Sequence, residues 1–102
     1  MKSVELTPEE RNFLGEVANL NAIFRYDGSG AILLSIAEKV KDVSSVKRTC
    51  EVSLSRAEED AIIPILRYIL VREVPLVDSK FEGHRVNSAK RLSAAILGEL
   101  LP

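Results

Sequence analysis

The sequence predicts a mainly α-helical protein, a compact bundle of about four helices arranged as two αα-hairpins. Three observations carry this prediction. Apolar residues recur every three or four positions in four segments, two segments open with a helix-capping pattern, and a short glycine-rich stretch separates the first two apolar segments. Because a chain of 102 residues is one domain by length, we treat residues 1–102 as a single helical domain.

Two capping boxes mark the starts of the first and third predicted helices. The pattern V-x-L-[ST]-x-x-E occurs twice, as VELTPEE and as VSLSRAEE. In a capping box the N-cap hydroxyl accepts a hydrogen bond from the N3 amide, and the N3 glutamate accepts one from the N-cap amide. Thr7 with Glu10, and Ser55 with Glu58, fill these roles. Pro8 falls at the first helical position, where its missing donor costs nothing.

The residues before each cap alternate between apolar and polar, which is the period of a half-buried strand. Segments 3–6 and 50–54 therefore either pair as a short two-stranded β ribbon or are unpaired extended segments that lead into the helices. The segments are too short for periodicity to distinguish these two alternatives. The shared pattern also suggests a duplicated βαα unit. The capping patterns match at an offset of 48 residues, however, whereas AILLSIA and AKRLSAA match at an offset of 58, so duplication is a weak hypothesis.

The first helix is predicted over 8–25 and the second after the glycine-rich stretch. Their apolar stripes are Phe13, Val17, Leu20 and Phe24 in the first, and Leu33, Ile36, Val40 and Val43 in the second.

The stretch DGSG between these helices has two interpretations. As a turn, it needs Gly28 or Gly30 at positive φ and Asp27 or Ser29 as a cap. As an anion site, it would present backbone amides at a helix N-terminus. We favour the turn, because the P-loop lysine is missing and no confident strand precedes the stretch.

The third helix, from Arg56, is apolar on most of its circumference, which predicts a central position or a homodimer interface. Pro64 predicts a kink or a break near residue 60, and Pro75 ends the helix. The residues expected to form a partner interface are Ile62, Ile65, Leu66 and Ile69.

The last helix is predicted to begin near Asn87, with the capping pattern at 79–82 as the less favoured start. The segment 80–91 just before and within it is locally basic. Arg85, Lys90 and Arg91 are the candidates for contacts with nucleic-acid phosphates. The alternative is a solvated helix face, which we favour.

Composition argues against several kinds of chemistry. The single cysteine, Cys50, excludes an internal disulfide framework, and with the single His84 it falls far short of known zinc-site spacings. Cys50 is expected to be a buried, inert thiol. We therefore expect no catalytic residues, no metal and no cofactor. The acidic N-terminus and the lack of a long apolar run predict no signal peptide, no membrane span and a cytoplasmic location.

These observations favour a small non-catalytic protein-interaction or regulatory module that self-associates as a homodimer and binds a protein partner of unknown identity. The alternative is a small nucleic-acid-binding regulator that uses segment 80–91. The net charge of −1 gives no general attraction to nucleic acid, so such binding would depend on that local patch.

Overall fold

The computed structural model describes residues 2–23, 28–71 and 82–101, and for residues 82–87 it describes the backbone alone. The predicted fold class is confirmed: the protein is a mainly helical bundle with one small antiparallel sheet. The elements in chain order are β1 (Lys2–Leu6), α1 (Pro8–Ile23), α2 (Ser29–Asp42), β2 (Cys50–Leu54), α3 (Arg56–Val71) and α4 (Glu82–Leu100).

The two alternating segments pair as a ribbon, which settles the alternative that the sequence left open. Strand β1 runs antiparallel to β2, with Val4 opposite Val52 at the centre. The apolar side chains of both strands face the helices and are buried, and the hydroxyls of Ser3 and Ser53 lie 3.1 Å apart on the exposed side. Alternation of apolar and polar residues therefore places one face of the ribbon on the core.

Both predicted capping boxes are present. The Thr7 amide donates to Glu10 Oε1 at 2.8 Å, and the Glu10 amide donates to Thr7 Oγ1 at 3.2 Å. The second box has the same two hydrogen bonds. The Ser55 amide donates to Glu58 Oε1 at 2.8 Å, and the Glu58 amide donates to Ser55 Oγ at 3.2 Å. Each strand thus leads directly into a capped helix.

The element order repeats a βαα unit. Strands β1 and β2 are equally long, as are helices α1 and α3, and every residue of β2 and α3 lies 48 positions after its counterpart. Val4 pairs with its own counterpart, Val52. The offset cannot continue into the second helices, because ten residues (72–81) separate α3 from α4 and only five (24–28) separate α1 from α2.

The hydrophobic core lies between the ribbon and the helices. Helices α1 and α2 form one hairpin and α3 and α4 the other, while α1 also packs on α4 and α3 on α2. Close approach of the first hairpin depends on Gly15, since a Cβ atom there would lie 3.0 Å from Val40 Cγ1. The fully buried apolar side chains come from both strands and all four helices: Val4, Leu6, Leu14, Ala18, Leu33, Ile36, Leu54, Ile62, Leu66 and Ile96.

Two local predictions are corrected in part. Gly28 precedes α2 with φ of −59°, a right-handed conformation, so the turn places no positive φ there, and Gly30 lies inside the helix. Helix α3 continues through Pro64, which excludes the break but not the kink that was predicted as its alternative. Pro64 and Asp60 both lie on the solvent side, where water can hydrate the carbonyl that loses its donor.

The last helix begins at Glu82, at the less favoured of its two predicted starts rather than near Asn87. The predictions for Phe24, Asp27 and Pro75 lie outside the described residues.

Candidate functional site

The partner interface expected on α3 is not a surface. Ile62, Ile65 and Leu66 are buried in the core of their own chain, and Ile69 is half-buried against it. They take the places that the core residues of α1 take in the first repeat, namely Leu14, Val17 and Ala18. Ile62, Ile65 and Leu66 therefore cannot contact a partner in the folded chain. The candidate surface on α3 is instead the opposite, exposed side of the helix.

The opposite side of α3 is exposed along its whole length. We call this surface the α3 face, and it consists of Asp60, Pro64, Arg67, Tyr68 and Val71. Tyr68 is 52% exposed and Val71 is 81% exposed, so the C-terminal end of the face is apolar. Spacings of four, three, one and three residues keep these positions on one side of the helix.

Helix α1 carries the equivalent surface. The α1 face consists of Asn12, Glu16, Asn19, Leu20 and Ile23, each 48 positions before its counterpart on the α3 face. Leu20 is 51% exposed and Ile23 is 63% exposed. The sequence placed Leu20 in the buried stripe, which is wrong. No signal in the sequence indicated that Leu20 and Ile23 are exposed, because both are apolar and fit the helical stripe.

A buried polar cluster lies where α2, β2 and α3 meet. The carboxylate of Glu58, only 4% exposed, accepts hydrogen bonds from Ser35 Oγ at 2.9 Å, Lys39 Nζ at 2.5 Å and the Ser55 amide at 2.8 Å. Lys39 also donates to the Ser53 carbonyl at 2.8 Å. A capping glutamate thereby ties the two repeats together.

The environment of Glu58 favours its charged form. Burial raises the pKa of the carboxyl, but the hydrogen bonds from Lys39, the Ser55 amide and Ser35 outweigh it, so the pKa lies below its ordinary value. The carboxylate is therefore ionised at neutral pH and serves as a structural anchor. Lys39 also lines a shallow, open groove of about 250 Å³ beside β2.

A second buried charge, Arg11, joins α1 to the segment between α2 and β2. Its Nη1 donates to the carbonyls of Leu6 at 2.9 Å and Arg48 at 2.8 Å, and its Nη2 donates to the carbonyl of Val46. The side chain is fully buried, and its acceptors are backbone carbonyls. Arg11 thus fixes the chain just before β2, which the sequence did not indicate.

The basic residues named as nucleic-acid candidates differ in their surroundings. Arg91 forms an exposed ion pair with Glu9, with 2.9 Å between Nη2 and Oε1, and Lys90 is half-buried. The side chain of Arg85 lies outside the described residues. Arg91 is therefore already paired within the chain.

Groups suited to catalysis or metal binding are sparse in the described part of the chain. Among the described side chains, those of residues 2–23, 28–71 and 88–101, no three His, Cys, Asp or Glu groups lie together as metal ligands would. Cys50 is half-buried at the start of β2, less buried than expected. The side chain of His84 is among those not described, so a contact with Cys50 stays untested.

Comparisons with protein families, with curated proteins and with solved structures find no match to this chain. Among the described helices, none has the length and the apolar content that crossing a bilayer would take. The observations that bear on function are therefore those of the fold itself: a two-fold repeated βαα domain that exposes one partly apolar helix face in each repeat.

Proposed function

We propose that this protein is a small non-catalytic protein-interaction or regulatory module that self-associates through its α1 and α3 faces. The observation that carries the proposal is the pair of exposed apolar side chains at the end of each face, Leu20 with Ile23 and Tyr68 with Val71. Neighbouring exposed apolar side chains at helical spacing are typical of an interaction surface.

The rest of the described chain supports binding rather than catalysis. Its two buried charged side chains, Arg11 and Glu58, are held in hydrogen bonds that join elements of the fold. Neither lies where a substrate would reach it. The expected cytoplasmic location belongs to the same proposal.

Leu20→Ser should weaken self-association. Half a leucine side chain contributes about 1 kcal/mol when it is buried against a partner, so the dissociation constant should rise roughly fivefold. Analytical ultracentrifugation over a range of protein concentrations measures this change. The matched control is Leu34→Ser, the same substitution at an exposed position of α2 outside both faces, and it should leave association unchanged. Wild-type protein that stays strictly monomeric at all concentrations would sink the proposal.

The alternative function, binding of nucleic acid through segment 80–91, has less support because Arg91 is engaged with Glu9. If the segment binds phosphates, affinity should fall steeply with salt, and replacing Arg85, Lys90 and Arg91 by alanine should reduce the salt slope by up to about three. Fluorescence anisotropy with labelled DNA and RNA at low salt measures both. Absence of binding at low salt removes this alternative.

A further inference from the structure

We draw no further inference here: the strongest candidate, the shallow groove between the C-terminal end of α2 and the outer edge of β2, carries nothing because Lys39 already donates to the Ser53 carbonyl there and nothing in the structure shows what covers the remainder, where Asp42 and Glu51 are the other charged residues.

Discussion

Replacing Arg11 by methionine should destabilise the protein by about 3 kcal/mol, a large share of the 5–15 kcal/mol typical of a domain. Methionine keeps the length and most of the packing of the arginine stem but removes the donors to Leu6, Arg48 and Val46. A buried carbonyl left without a donor costs about 1–3 kcal/mol, and release of the desolvated guanidinium offsets part of that sum. Urea unfolding followed by circular dichroism measures the change.

The control for Arg11→Met is Arg56→Met, the same substitution at an exposed arginine on the first turn of α3. It should change the free energy of unfolding by less than about 0.5 kcal/mol. Hydrogen exchange adds a local readout, because the amide of Val46 should lose protection in Arg11→Met before the rest of the chain does. Equal stability of the two variants would show that the carbonyl cluster contributes little.

Replacing Glu58 by glutamine should lower stability by about 1–3 kcal/mol at about pH 7. The single oxygen of glutamine can still accept from the Ser55 amide and from Lys39, but it carries no charge to pair with Lys39. The amide nitrogen then takes the place of Oε2 and directs a donor toward Ser35. Contacts between α2 and α3 should loosen as a result. Thermal unfolding by calorimetry measures the loss.

The pH dependence of this effect has a definite sign. Because the folded-state pKa of Glu58 lies below its ordinary value, its charged form stabilises the folded chain at pH values above the ordinary pKa. That contribution is lost as the pH falls through the ordinary range and then through the lower folded-state pKa. The stability difference between wild type and Glu58→Gln should therefore shrink from about pH 7 toward about pH 3. A difference that does not change with pH would contradict the assigned role.

The matched control is Glu10→Gln in the first capping box. Glu10 accepts from the Thr7 amide as Glu58 accepts from Ser55, but it is more exposed, and its side chain caps α1. Because glutamine can still accept from the Thr7 amide, this variant should lose less than about 0.5 kcal/mol. The difference between the stability losses of Glu58→Gln and Glu10→Gln measures how much the buried contacts with Lys39 and Ser35 add to the stabilisation from a helix cap.

Local patterns in the sequence predicted much of the fold. Thr7 with Glu10 and Ser55 with Glu58 located two helix starts, because a capping box uses side chains and amides within four residues. The alternation before each cap located two extended segments, but it did not decide whether they pair as strands. The start of α4 was placed less well, since two starts fitted the sequence and the one near Asn87 was favoured over the capping pattern at 79–82.

The candidate surface was predicted on the wrong side of α3. Periodicity identified Ile62, Ile65 and Leu66 as one apolar stripe, but a stripe is equally suited to the core and to a partner. Tyr68 and Val71 were not singled out, because nothing local distinguishes an exposed apolar residue from a buried one. They are exposed because α3 packs its stripe of Ile62, Ile65 and Leu66 against the rest of the bundle, which leaves the opposite side of the helix in water.

The sequence by itself determined the presence of four helices and two of their caps, because these depend on residues within a few positions of one another, and it left the two segments before the caps as paired strands or extended lead-ins. Only the tertiary structure decided that Val4 pairs with Val52, that Arg11 bonds across the chain to Val46 and Arg48, and which face of each first helix is left in water. These features join residues tens of positions apart, so they depend on how the two repeats pack together. The same packing places Glu16, Leu20 and Ile23 on a surface that we propose a second copy binds.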